Sequence, residues 1–175
     1  MKNIFFCSDH HFYHQNILNF KRDCGAPLRE FSSVEHMHDV LIAKHNEVVK
    51  PTDRVYFLGD LIMSKNHKNL QILQRFNGKK VLIKGNHDLC KAQDYLQYFD
   101  DIRAVHQFDG LILSHIPIHT ESLSRWKLNV HGHLHARRVL LNNTNTPDPR
   151  YLCVSMEQID YTPISLDEVK KRMPT

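Results

Sequence analysis

The chain has 175 residues, which suits one domain built on one core, and a single domain over residues 1–175 is the expectation. Hydrophobic residues make up 41% and charged residues 24%, an ordinary globular balance, and no apolar run approaches the ~20 residues of a membrane span. A net charge of +4 suits an anionic substrate and is too weak to mark a nucleic-acid protein.

Lys2 to Ser8 reads as a buried strand, with Ile4, Phe5 and Phe6 in one run before a polar turn. Residues 33–49 read as a helix: Ser32 and Glu35 form a capping-box pattern, and Met37, Val40, Leu41 and Val48 recur at helical spacing. Arg54 to Leu58 is a second strand, closed by Gly59. Asn69 to Phe76 is a helix, ended by Asn77-Gly78, and Lys79 to Ile83 is a third strand, closed by Gly85. This β-α-β-α-β order predicts an α/β layered sheet. Ile102 to Phe108 and Leu111 to Ser114 flank Asp109-Gly110, a hairpin signal. Leu128 to Val130, Arg137 to Leu141 and Tyr151 to Val154 are further strands, with a polar loop from Asn142 to Arg150. Ser165 and Glu168 form a second capping box, opening a short helix to Arg172.

Cys7, Cys24, Cys90 and Cys153 lie far apart without a Cys-x-x-Cys pair, so free thiols are expected, with Cys7 and Cys153 in the core. The first eight residues turn polar too soon for a secretory segment, so a cytoplasmic location is expected.

Histidine is unusually frequent, at 14 residues, and position must decide which matter: His36, His38, His45, His67, His106 and His119 read as surface or satisfied core residues. Five polar motifs each follow an apolar strand run. They are Asp9-His10-His11, Gly59-Asp60, Gly85-Asn86-His87-Asp88, Ser114-His115 and Gly132-His133-Leu134-His135. In open α/β sheets the carboxyl ends of strands gather at one edge, where ligands bind. Residues two apart in an extended segment face the same way, so Asp9 with His11, and His133 with His135, can each face one ion. Seven donors (Asp9, His11, Asp60, Asn86, His115, His133 and His135) are too many for one tetrahedral ion. With one bridging carboxylate they serve two. Carboxylate, imidazole and amide without thiolate suit Mn²⁺, Fe or Zn²⁺ at a catalytic site.

These blocks resemble the calcineurin-like metallophosphoesterase superfamily, whose pattern is Asp-x-His, Gly-Asp, Gly-Asn-His-Asp/Glu, His and Gly-His-x-His. All five stand in that order between residues 9 and 135. The resemblance implies a compact member without a cap domain, with two stacked mixed β-sheets flanked by helices and the site at the C-terminal strand ends. It implies two divalent ions, Mn²⁺ foremost, with Fe, Ni²⁺ and Zn²⁺ as the other candidates. Asp9, His11 and His135 would hold one ion, Asn86, His115 and His133 the other, and Asp60 would bridge. His87 would stand beside the substrate phosphate as general acid or phosphate binder, with Asp88 holding its ring. A metal-bridging hydroxide would attack phosphorus in line with the leaving oxygen. An Asp after His also serves as a helix cap, so Asp88 has a purely structural alternative.

Around this core, His14 either lines the cleft or starts a helix. Lys21, Arg22 and Arg29 form a basic stretch, read either as a solvated loop or as a phosphate clamp. Arg125 can fork a phosphate and Trp126 can stack on a base or simply pack. His10 points away from its neighbours, and His38-Asp39 lies mid-helix without the partners of an HD site. The expected activity is hydrolysis of a small, nucleotide-like phosphoester. A nuclease would need a continuous basic track, and the positives are scattered. A non-catalytic metal-dependent binding module is the third reading, against which the presence of His87 argues.

Overall fold

The apolar run at the start forms β1 (Ile4–Cys7), whose last three side chains are buried. A computed structural model describes residues 2–142 and 144–174. The helix α1 (Val34–Val48) buries Val34, Met37, His38, Leu41, Ile42 and His45 along one face. Its cap is Ser33, whose hydroxyl accepts the His36 N–H at 3.0 Å. The expected cap at Ser32 is displaced by one residue because that hydroxyl engages the His36 ring at 2.8 Å.

β2 (Arg54–Phe57), β3 (Lys79–Ile83) and β4 (Asp101–Arg103) lie parallel in sequence with β1. Between β2 and β3 the expected α-helix is instead a 3₁₀ helix over His67–Arg75. Its buried residues, Leu70, Ile72 and Leu73, include a pair three apart, which eclipse in a three-residue turn. A short α2 (Ala92–Tyr95) follows β3.

The run Ile102–Phe108 is not one strand. It breaks at Ala104: β4 joins the first sheet, while β5 (Val105–Phe108) pairs antiparallel with β6 (Leu111–Ser114) in a second. Asp109 and Gly110 both take positive φ, 50° and 78°, as a two-residue hairpin turn demands. β7 (Leu128–His131) and β8 (Tyr151–Cys153) extend this sheet in parallel. The expected strand over Arg137–Leu141 does not form. Leu140 makes only an isolated bridge to Pro147, whose ring nitrogen has no N–H to carry a ladder onward. Asn143, within the polar loop expected from the sequence, lies outside the described residues. β9 (Ile164–Ser165), too short to leave a period in the sequence, pairs antiparallel with β1, and α3 (Leu166–Lys171) starts from the Ser165–Glu168 capping box.

The architecture is therefore α/β, with a five-stranded sheet in the order β4-β3-β2-β1-β9 and a four-stranded sheet in the order β5-β6-β7-β8. Tyr56 of β2 meets Phe108 and His106 of β5 at ring-centroid distances of 5.6 and 5.4 Å, joining the sheets across one apolar cluster. A bridge between Ser8 and Ser155 draws β1 and β8 together at their carboxyl ends. No described helix is long and apolar enough to cross a membrane.

His45 lies in this core, stacked on Phe57 and edge-on to Phe76, with its Nε2 3.0 Å from the Asn77 carbonyl. Burial lowers its pKa to about 4. As pH falls below about 6.5 the unfolded chain protonates this ring while the folded chain does not, so stability drops until pH reaches about 4. His45→Gln keeps a donor for Asn77 and does not titrate. Urea unfolding should show the loss of stability between pH 6.5 and 4 reduced by about 3 kcal/mol in the variant.

Candidate metal centre

The carboxyl ends of β1, β2, β3, β6 and β7 meet on one edge, and each contributes side chains. Two groups of donors result: Asp9, His11 and His135, and Asp60, His115 and His133, with ligand atoms in each group within 4.8 Å of one another. His133 and His135 thus divide between the groups, in the grouping the resemblance implies and not as alternation alone would turn them, toward one ion. The backbone explains this. Alternation holds for extended chain, whereas His133 and His135 have φ of 69° and 51°. Asp9, His11 and Asp60 are left-handed too, with φ of 60°, 52° and 54°. Asp and His tolerate this region better than most residues, yet it costs of order 1 kcal/mol or more at each, and such residues cluster at functional sites.

Close backbone approach makes the glycines obligatory. A Cβ at Gly59 would stand 2.7 Å from the His115 ring nitrogen and 2.6 Å from the Gly85 amide nitrogen. One at Gly132 would strike the Ser8 hydroxyl and the Asp9 carboxylate.

Asp9 is fully buried. Its Oδ2 accepts from the Ser8 hydroxyl at 2.6 Å, the Ser155 hydroxyl at 2.8 Å and the His133 N–H at 2.9 Å. Among the described residues its Oδ1 has no hydrogen-bond partner, and neither has His11 Nε2, 3.7 Å away. Asp60 is arranged alike: Oδ1 accepts the His87 N–H at 2.8 Å, while Oδ2 lies 3.8 Å from His11 Nε2 and 3.3 Å from His115 Nε2. In His115 the Nδ1–H donates to the Leu58 carbonyl at 2.8 Å, so Nε2 and the Asn86 Oδ1 converge at 2.9 Å as two acceptors unless the ring gains a second proton. Burial opposes that proton, but the Asp60 and Asp9 carboxylates outweigh it and raise the His115 pKa to about 9. Burial likewise opposes the charge of Asp60, yet His115 holds its carboxyl below the ordinary range. Bare buried oxygens and aimed nitrogens, in a field that favours positive charge, fit divalent cations.

His87 is half-buried, its ring 5.6 Å from that of His11. His14 sits beside His11 at 5.5 Å, so it lines the cleft, and burial lowers its pKa to about 4. It also precedes a 3₁₀ helix at Gln15–Asn19, without a side-chain capping bond. Arg22 lies near the cleft, with its Nε donating to the Pro27 carbonyl at 3.3 Å, and Lys21 is exposed beside it.

Three expectations are corrected. Arg29 is no phosphate clamp: it is 2% exposed, its Nε pairs with Glu157 at 2.7 Å, and its other nitrogens donate to the carbonyls of Asp9 and His10. Its charge is spent on fixing the Asp9–His11 turn. Asp88 does not hold the His87 ring. Its oxygens accept the N–H groups of Asp60, Leu61 and Gly85 at 2.9, 3.0 and 2.8 Å, and the Tyr95 hydroxyl at 3.3 Å. It clips the ends of β2 and β3 together. Arg125 is exposed just before β7, beside Lys127, whose N–H bonds the Gly110 carbonyl at the amino end of the sheet. The site is at the other end. Trp126 is half-buried there, and His10 is 1% exposed among Phe12, Phe57 and Phe76.

Glu157 belongs to the site although no sequence motif marked it. Its side chain is fully buried, and Oε1 accepts the His135 Nδ1–H at 3.1 Å, turning Nε2 toward Asp9. Carboxylates behind ligating histidines orient the ring and raise its basicity. Ser155 and Glu157 follow β8, so the strand-end rule that located the other five motifs points to this sixth as well.

Asp88→Ala leaves three backbone amides without a partner, those of Asp60 and Leu61 buried and that of Gly85 partly so. Chemical denaturation should show a loss of about 3 kcal/mol or more. Unchanged stability would return Asp88 to a role on His87.

The profile of the calcineurin-like phosphoesterase family matches residues 2–167. An uncharacterized protein of Methanocaldococcus jannaschii, MJ1445, is 37% identical over 175 residues, covering 98% of this chain and 91% of that protein. The crystal structure of AQ665, a protein of unknown function from Aquifex aeolicus, superposes with a TM-score of 0.69 at 29% identity, covering 98% of this chain and 99% of that one. With its strand-end motifs in place and nearly its whole length matched, the chain belongs to the calcineurin-like phosphoesterase family.

Proposed function

We propose that the protein is a phosphoester hydrolase working with two divalent metal ions, Mn²⁺ foremost, on a small phosphoester. The observation that carries this reading is the position of the Asp60 Oδ2 between the two donor groups, 3.8 Å from His11 Nε2 and 3.3 Å from His115 Nε2. One ion would take Asp9, His11 and His135, the other Asn86, His115 and His133, with Asp60 shared. Bound there, the ions supply Lewis-acid polarisation of the phosphoryl group and a water acidic enough to act as nucleophile near neutral pH.

The chain's own residues do the rest. Ser8, Ser155 and the His133 amide fix one oxygen of Asp9 so that the other points inward. Glu157 sets the His135 tautomer, and the Leu58 carbonyl sets that of His115. His87 is half-buried beside His11, its N–H anchored on Asp60, and its ring makes no hydrogen bond among the described residues, which leaves it available to substrate. Water adds to phosphorus opposite the ester oxygen and loses a proton to solvent, the ester P–O bond breaks, and the His87 ring gives a proton to the departing oxygen and recovers one from solvent.

Hydrolysis of mono-, di- and cyclic phosphoesters should be screened with Mn²⁺, Ni²⁺, Mg²⁺ and Zn²⁺. His87→Ala should keep its metal content by elemental analysis and lose roughly 10²–10⁴ in kcat, the usual share of a general acid. Full activity in that variant removes His87 from the reaction, and no turnover of any ester with any metal removes the hydrolase reading.

A further inference from the structure

A groove of about 840 Å³ adjoins the donor cluster, with His133 and His135 among its lining residues. That volume is within the range of small-molecule sites and well beyond what a lone phosphate group needs. One wall is the segment after the 3₁₀ helix, carrying Phe20, Lys21 and Leu28; the other is Leu134 and Ala136. The first wall is built and not loose. The Leu28 N–H bonds the Phe20 carbonyl at 2.7 Å, the Arg22 N–H bonds the Ala26 carbonyl at 2.8 Å, and Leu28 is buried.

Phe20 is the one exposed phenylalanine among nine, at 45% exposure, and its ring is held edge-on to His14 at 5.4 Å. Leaving such a ring in water beside the donor cluster forgoes burial that the other eight phenylalanines obtain wholly or in part. Lys21, next to it, is exposed and has no acidic partner among the described residues. Asp23 pairs with Arg137 at 2.7 Å and links the two walls, so the groove is a bounded site and no long basic track.

We infer that this groove binds the organic half of the substrate, and that this half is a nucleoside whose base stacks on Phe20 while Lys21 meets negative charge on its phosphate. The inference rests on the phosphoesterase reading for which end of the substrate faces the metals. A bounded groove with one aromatic platform suits a mononucleotide ester better than a polynucleotide, which needs successive stacking positions along a charged track.

The test is calorimetric titration of the manganese-loaded protein with adenosine 5′-monophosphate and, separately, with inorganic phosphate. The nucleotide should bind at least about tenfold more tightly than phosphate, the usual worth of one stacked base. Phe20→Ala, at a solvent-exposed position, should erase about that factor for the nucleotide and leave phosphate unchanged, and Phe20→Trp should retain it. Equal affinities for the two probes, or a Phe20→Ala effect that is absent or shared by phosphate, would overturn the groove assignment. Turnover of bis(p-nitrophenyl) phosphate by the same samples separates the two claims. Turnover with no Phe20 effect on nucleotide binding contradicts the groove alone. Stacking without turnover of any ester supports the groove and contradicts the hydrolase reading.

Discussion

A buried carboxylate with one oxygen saturated and the other bare is the constraint around which this edge of the molecule is organised. Among the described residues, Asp9 has no exposure, three donors on Oδ2 and none on Oδ1. An uncompensated buried charge is expensive unless paired or coordinated. Beside it, the Asp60 and Asp9 carboxylates raise the His115 pKa to about 9 against the opposing effect of burial. A proton on His115 takes a positive place that a cation would fill, and metal binding at such a site releases it.

Holding the carboxylates there requires a strained frame. Five of the donor residues have left-handed backbone, and three glycines sit where a Cβ would collide with donors or neighbouring main chain. Two buried acids secure the frame from behind. Asp88 gathers amides from the ends of β2 and β3, and Glu157 with Arg29 ties the end of β8 to the turn after β1. The two sheets, joined at this edge by the Ser8–Ser155 bridge, thus meet where the donors do. Fold and chemistry share the same few side chains.

Much of this was legible in the sequence, for physical reasons that differ by level. Parallel strands buried on both faces leave continuous apolar runs, so β1, β2, β3 and β6 were plain, and the polar residue ending each run marked the site edge. Ile102–Phe108 misled because a chain crossing from one sheet to another keeps its β character throughout; only Ala104 separates two partners. Arg137–Leu141 misled because its pairing stops at one bridge, to Pro147, which has no N–H to extend a ladder. At the site, which residues converge could be read from position, but how each is used could not. Arg29 and Asp88 are the charged types that bind phosphate or orient histidine. Burial decides instead that they serve the backbone, and burial is set by chain segments far away in sequence. Glu157 was missed for the converse reason: its partners, Arg29 and His135, lie 128 and 22 residues away.

The central claim is that Asp60 stands between two cations. Crystals grown with Mn²⁺ and measured at the manganese absorption edge test it directly. Two anomalous peaks on either side of the Asp60 carboxylate are expected, one beside Asp9, His11 and His135 and the other beside Asn86, His115 and His133. A single peak at saturating Mn²⁺, or none within coordination distance of Asp60, would contradict it.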